Sequence, residues 1–354
     1  MSESMKINYL PAPTWNWLKM NVATAERPAD LAAAAADIEA PEGVNLYTAA
    51  DFLKGTKTGM GEEPAVLLDK AGVQYTVVRS EGRGSGAAPV RIGFDFSATG
   101  NSCGRIGLEA GDGDTLFAIM DFAGADAKGT SVIQTKVGVG KDALVRLIQI
   151  QHFGEELTFF NDIGAECGEN GRFELVQIVL GGKATFLGVH TQLSGNQGSF
   201  KSDLGYLLEN DDRLDLNFTA SHLGKKTDSK ISVNGVLRDR AFKLFRGTID
   251  FKNGSAGATG DEKEDVLLLS DGVVNQTIPL ILCAEEDVEG GHGATIGRVD
   301  EDLLFYLESR GIPEDAVYEM LATARIDAVA GLIGDEKAKA LVRDCIGVED
   351  AGDE

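Results

Sequence analysis

The chain predicts a mainly β fold, and three observations carry that expectation. From about residue 64 to residue 299, short alternating runs follow one another, broken by Gly, Asn and Asp turns. No helical pattern of useful length falls between Ser202 and Val288. After Asp300 the apolar period changes from two to that of a helix. So many short strands in series must build a sandwich, a barrel or a β-solenoid. Size leans toward the solenoid, whose coils add core without closing on themselves. No crisp repeat is visible.

Three zones follow: residues 1–63, 64–299 and 300–354. The first holds Pro11, Pro13, Trp15 and Trp17, the tryptophans being expected to anchor the segment on the core. The run PADLAAAAAD, residues 28–37, reads as a short helix with Pro28 near its start. In the second zone, Ile92, Phe94 and Phe96 share one strand face, with Arg91 and Asp95 on the other. The segment RLDLNFTASH places Leu214, Leu216, Phe218 and Ala220 inward and Asp215, Asn217 and Thr219 outward. Ile231–Leu237, Thr248–Phe251 and Val266–Leu269 continue the series.

In the third zone Asp300 is an expected N-cap, with Glu301 and Asp302 in the first turn, where carboxylates suit the helix dipole. Leu303, Leu304 and Leu307 form its stripe, and Gly311 ends it after Arg310. Pro313 opens a second helix with Val317, Met320, Leu321 and Ala324 at helical spacing. Asp335 to Cys345 is a third helix, followed by an acidic tail expected to be mobile.

Composition narrows the function. The 354 residues carry 56 Asp+Glu against 33 Lys+Arg, a net charge of -23, so there is no basic footprint for nucleic acid. No apolar run is long enough to span a bilayer, and Met1–Lys6 lacks the apolar core of a secretory signal. A cytoplasmic location without a membrane partner is the expectation. Cys103, Cys167, Cys283 and Cys345 lie far apart with no C-x-x-C pair, which argues against a zinc ribbon or a cysteine-rich cluster ligand set. Cys103, Cys167 and Cys345 read as small buried apolar residues.

Nucleotide motifs fail on inspection. The stretch from Gly82 to Gly86 has no helix behind it, and Gly138-Val139-Gly140-Lys141 is followed by Asp142 where a phosphate loop needs Ser or Thr. Both read as turns. Of the histidines, His152 and His190 carry no signal, and His222 falls on the apolar face of its strand as a satisfied core residue. His292 differs, lying between glycines after Glu285, Glu286, Asp287 and Glu289. A neutral imidazole near carboxylates is a ligand set suited to ferrous iron, although a surface histidine in a turn is the commoner meaning of such a residue.

Several segments in this region carry a resemblance. Asp287-Val288, His292-Gly293-Ala294-Thr295-Ile296-Gly297, Leu304-Phe305-Tyr306-Leu307 and Ser309-Arg310-Gly311-Ile312 resemble the C-terminal signature of the SufB/SufD family. Leu267-Leu268-Leu269-Ser270, Pro279-Leu280, Asn234-Gly235-Val236-Leu237 and Phe245-Arg246-Gly247 fit the same pattern, which is specific from about His222 to Ala324. The resemblance implies a right-handed parallel β-helix core with N-terminal and C-terminal helical segments. It implies a non-enzymatic scaffold for iron–sulfur cluster assembly, paired with a SufB-like subunit or with itself through the β-helix end. It further implies docking of a SufC-type ABC ATPase through the C-terminal helices, here Tyr306, Arg310, Pro313, Val317, Met320 and Leu321. His292 would stand at the cluster-assembly interface as the metal-facing residue, with Cys283 near it. No stably bound cofactor is implied, only transient iron or an iron–sulfur cluster. Gly293, where SufB-like chains carry Glu, favours a SufD-like assignment, and Arg325 stands where the family usually has an aromatic residue. The rival expectation is a β-helix carbohydrate-active enzyme using Glu285, Glu286 and Asp287.

Overall fold

The computed structural model describes residues 3–14, 16–82, 88–97 and 100–348. Strands β1 (Ser4–Ile7) and β2 (Ala23–Glu26) form an antiparallel ribbon, followed by β3 (Ala32–Ala33), β4 (Asp37–Glu39), β5 (Val44–Ala49) and helix α1 (Glu62–Lys70). The solenoid begins with β6 (Tyr75–Ser80) and β7 (Val90–Asp95). It continues through β8 (Ser102–Ala110), β9 (Thr115–Gly124), β10 (Gly129–Val139), β11 (Leu144–Phe153), β12 (Leu157–Cys167) and β13 (Arg172–Leu180). Then come β14 (Ala184–Leu193), β15 (Ser199–Leu208), β16 (Arg213–His222), β17 (Asp228–Leu237), β18 (Phe242–Phe251) and β19 (Ala258–Leu268). The last rung is β20 (Val274–Cys283) with β21 (Val288–Gly297).

Among β6 to β21, even-numbered strands pair only with even and odd only with odd, all in parallel register, which makes two facing sheets in a parallel β-solenoid of about seven turns. Polar ladders mark the period. Gln177 hydrogen-bonds Gln149, 28 residues earlier, Ser102 and Ser131 are 29 apart, and Asp239 bonds Ser270 across 31. That drift explains why no repeat stands out by eye.

Inward side chains form one long core. Leu214, Leu216, Phe218 and Ala220 of β16 belong to it, as do Ile92, Phe94 and Phe96, so the expected strand phases hold. His222 is fully buried and bonded to Thr227 and Ser229 at 2.8 Å each, a satisfied core histidine. Gly138 and Val139 are the last residues of β10, and the expected turn comes just after them at Lys141 and Asp142; residues 83–86 lie outside the described residues.

Four expectations need correction. Residues 28–37 are not a helix: Ala32 and Ala33 pair with Ser102 and Cys103, and the Ala34 N–H donates to the Cys103 carbonyl at 2.7 Å. The run is too short for alanine propensity to outweigh that pairing. Trp17 is 87% exposed and anchors nothing in the chain, while Trp15 lies outside the described residues. Asp215, Asn217 and Thr219 do point away from the lumen, yet all are buried, because the N-terminal segment crosses that sheet face. Asn8 donates to Asp215 at 2.7 Å, Asn217 to the Gly59 carbonyl at 2.7 Å, and fully buried Arg246 bridges Asp215 and the Met20 carbonyl at 2.7 Å each. Cys103 and Cys167 are buried, whereas Cys345, the last residue of a helix, is exposed.

Helices α2 (Glu301–Ser309), α3 (Glu314–Ala330) and α4 (Glu336–Cys345) follow the last rung. Asp300 caps α2 by accepting from the Leu303 N–H at 2.9 Å, and Gly311 takes the left-handed conformation, φ 89°, that ends it. Asp335 caps α4 in the same way and also pairs with Arg91. The buried side of α3 is Val317, Ala322, Ile326, Val329 and Ala330, while Met320 and Ala324 are exposed. The expected stripe was rotated, because α3 lies along the outer face of the odd-numbered sheet and its second half supplies most of the contact.

Candidate functional site at the open end of the solenoid

The two ends of the solenoid differ. At the start, β5 pairs antiparallel with β6 and β4 antiparallel with β7, so short strands cap both sheets. At the far end β20 and β21 each have a neighbour on one side only, and β21 is exposed or half-buried along its whole length. Two parallel sheets thus end side by side in unpaired backbone, a ready template for strand addition.

Register places the side chains of that end. On β18 the lumen-facing positions in line with Leu214, Leu216 and Phe218 are Lys243, Phe245 and Gly247, and β20 continues the row with Asn275, Thr277, Pro279, Ile281 and Cys283. Opposite, Glu262 and Glu264 of β19 follow Ile231 and Val233, and His292 and Ala294 of β21 follow the two glutamates. Cys283 and His292 therefore lie on the lumen-facing rows of the same rung, both exposed, His292 in register above Glu262. No hydrogen bond joins them; the Cys283 thiol donates to the Glu285 carbonyl at 3.0 Å.

Beneath this rung the lumen is charged. Lys243 and Glu264 form an ion pair with both side chains fully buried, and Thr277 joins them, 3.1 Å from the ammonium and 2.6 Å from the second glutamate oxygen. Burial holds Lys243 below its ordinary value against the pull of Glu264. Glu262 has no such partner. It is 3% exposed, and its carboxyl sits against Gly247, where an added Cβ would fall 2.0 Å from the oxygen and force the carboxyl to move. Burial first, and then neighbouring Glu264, push Glu262 up to about 8, with Lys243 opposing. One lysine faces two carboxylates, and the surplus lies directly below His292.

Sequence reading missed Lys243, Glu262, Glu264 and Thr277. The strand ATGDEKEDVLL carries charges at both parities, so alternation cannot tell inward Glu262 and Glu264 from outward Asp261, Lys263 and Asp265. Among the described residues no group of three or more His, Cys, Asp or Glu is arranged to hold a metal, so His292 belongs to no such group. Of the carboxylates in the rival carbohydrate-enzyme expectation, Glu285 serves the turn before β21, accepting from the Gly254 and Glu286 N–H groups at 2.9 and 3.0 Å.

The helical residues divide. Tyr306 and Met320 are exposed, beside Phe305 at 73% and Leu303, and Arg310 lies 5.0 Å from the Tyr306 ring. Pro313 is exposed at the head of α3. Val317 is fully buried and Leu321 packs near Val236, Leu267 and Ala322, so these two seat the helix rather than face solvent. Arg325 bonds Asp265 at 2.5 Å and ties α3 to β19. No helix among the described residues is long and apolar enough to cross a membrane.

Comparison with known proteins adds the family. Residues 96–325 match the family model described as SUF system FeS cluster assembly, SufBD core domain. The chain is similar to the iron-sulfur cluster assembly protein SufD of Bacillus subtilis (strain 168), 31% identical over 160 residues, covering 45% of this chain and 36% of that one. It is similar to an iron-sulfur cluster assembly SufBD family protein of Staphylococcus saprophyticus, 29% identical over 190 residues, with 53% and 41% covered. A SufBD family protein of Mycobacterium tuberculosis (strain H37Rv) is 27% identical over 201 residues, with 57% and 24% covered. The matches thus span less than half the length of these relatives. Since the family model covers well over half of the chain and its solenoid, the protein belongs to the SufBD family of iron–sulfur cluster assembly proteins.

Proposed function

We propose that the chain is a SufD-like, non-enzymatic scaffold subunit that docks a SufB-like partner on its open last rung and SufC-type ATPases on its C-terminal helices. The observation that carries this reading is the asymmetry of the solenoid: one end capped, the other exposing both sheet edges with His292 and Cys283 on the lumen-facing rows. Strand addition there would continue both sheets and place a partner's side chains opposite His292. The similarity to a SufD protein and Gly293 beside the histidine support the SufD-like assignment. Iron or a nascent cluster would be cargo at this junction, with the His292 imidazole as one ligand and the partner supplying others, which fits a chain whose described residues hold no complete metal site. The exposed apolar side chains of α2 and α3, Leu303, Phe305, Tyr306 and Met320, support ATPase docking as apolar area that a partner could cover.

Co-expression with SufB-like and SufC-type subunits, read by native mass, tests the reading. A complex containing all three is expected. Deleting residues 313–354 should release the ATPase subunit; its retention would refute the docking role. A chain that forms only homodimers would replace the SufD-like role with that of a scaffold serving both positions.

A further inference from the structure

Where the N-terminal segment crosses the outer face of the even-numbered sheet, it leaves a cavity. Residues from Leu18 to Thr24 form one wall, and strands β14, β16, β18 and β20 form the other, around a volume of about 330 Å³. That volume falls within the range of small-molecule pockets. Its walls are largely apolar, with Met20 from the segment facing Phe186, Phe242 and Leu244 from the sheet.

Its charged lining runs against the rest of the molecule. In a chain of net charge -23, this cavity is lined by three cations, Lys19, Arg213 and Arg246, and by one carboxylate, Asp215. That carboxylate is already committed, since its Oδ1 accepts from Arg246 Nη1 and from the Asn8 amide at 2.7 Å each. Arg246 Nε donates to the Met20 carbonyl at 2.7 Å, but Nη2 of the same fully buried guanidinium has no partner. A buried donor left unbonded is costly, so a ligand oxygen there would be favoured. Arg213 holds its guanidinium 4.5 Å from the Phe242 ring centroid. Arg213 and Lys19 are exposed, which sets them at the rim and Arg246 at the floor.

We propose that this cavity binds a small organic phosphomonoester, with its phosphate between Arg213 and Arg246 and its apolar part against Met20, Phe186 and Leu244. Three cations less one carboxylate leave two positive charges, the complement of a phosphate dianion. The paired N–H groups of a guanidinium match phosphate oxygens, and the Phe242 ring beneath Arg213 holds one such fork flat. The apolar walls exceed what free phosphate needs, which points to an ester carrying a hydrophobic body. A ligand here touches both the N-terminal segment and Gln276 of β20, so it fastens that segment to the sheet as far as the last rung.

Calorimetric titration of the full chain with phenyl phosphate, inorganic phosphate and phenol tests the assignment. Phenyl phosphate should saturate one site and bind at least about tenfold tighter than inorganic phosphate, while phenol should give no saturable heat. Arg213→Gln should weaken phenyl phosphate at least about tenfold, and Lys19→Gln should weaken it less. Both positions are exposed, and thermal unfolding without ligand verifies that the variants are folded. Arg240→Gln removes an exposed arginine that pairs with Asp211 outside the cavity, and should leave the affinity unchanged. In the unaltered chain, absence of saturable phenyl phosphate binding, or equal affinity for the two phosphates, would overturn the proposal. So would unchanged affinity in folded Arg213→Gln, or an equal loss in Arg240→Gln, which would reduce the binding to net charge.

Discussion

The early and late rungs of the solenoid enclose the same lumen and fill it in opposite ways. Near the capped end, Phe94, Phe96, Phe122, Phe153 and Phe159 meet ring to ring, with centroids 5.0–6.5 Å apart. Near the open end the same inward rows carry Lys243, Glu262, Glu264 and Thr277, then His292 and Cys283. Aromatic layers are stable without any partner. A lumen with one surplus buried carboxylate is tolerable only as the last full layer under an exposed rung. In a solenoid each rung contacts only its neighbours, so strongly packed early rungs can carry a costly late one.

Removing a ring from the early layers is the largest way to break this contrast. Phe159 touches Phe96, Phe122 and Phe153, and Phe159→Ala should cost about 4 kcal/mol in chemical unfolding. A loss near 1 kcal/mol would mean that the early rungs are not the stable part. The next effect belongs to the buried ion pair. Glu264→Gln leaves the Lys243 ammonium without its counter-charge and should cost about 3 kcal/mol, whereas Lys243→Met with Glu264→Leu together should lie close to the parent chain. Equal losses in the single and double variants would show that the pair itself, rather than the stranded charge, sets the stability.

How much of this was legible in the sequence follows from what each signal measures. Alternation reports strand phase, so the inward face of β16 and the satisfied His222 could be read directly. It cannot report what covers the outward face, and so Asp215 and Asn217 were expected at the surface while segments from the first sixty residues lie over them. Helical spacing located α3 but misjudged its buried side, because several faces of EDAVYEMLATARIDAVA are apolar and the receiving sheet chooses among them. His292 was legible through a motif, and its position above Glu262 was not, since that needs the register of β19 against β21.

Glu262 gives a smaller effect with a definite sign. Its folded value, about 8, lies above that of an unfolded carboxyl, so between those values the folded chain binds more protons. Its contribution to stability is fully present below the unfolded value and is lost as pH rises through about 8. Glu262→Gln removes the titrating group while keeping its shape. The variant should therefore gain about 2 kcal/mol relative to the parent at pH 8.5 and little at pH 5, read by urea unfolding at both. Histidine titration bounds the acid side: burial holds His190 and His222 down at about 4, so both resist protonation in the fold and stability falls as pH drops from the ordinary histidine value toward 4. A parent chain no less stable at pH 8.5 than at pH 6.5, with Glu262→Gln following the same profile, would show that the lumen beneath the last rung is hydrated rather than closed.

The smallest effect on stability belongs to the residue on which the proposed function turns. His292 is exposed on an edge strand and its side chain makes no hydrogen bond among the described residues, so His292→Ala should change unfolding by less than about 0.5 kcal/mol. Cluster-dependent enzyme activity in cells relying on this chain should nevertheless collapse, while the complex with its partners still forms. This pairing of outcomes separates a ligand at the junction from a packing residue, because a packing residue would lower stability or assembly first. Normal cluster supply with His292→Ala would move the chemistry to Cys283 or to the partner. Loss of the complex itself would instead make His292 an interface contact. The contrast between the two ends of the lumen thus comes down to one side chain whose removal the fold should barely register.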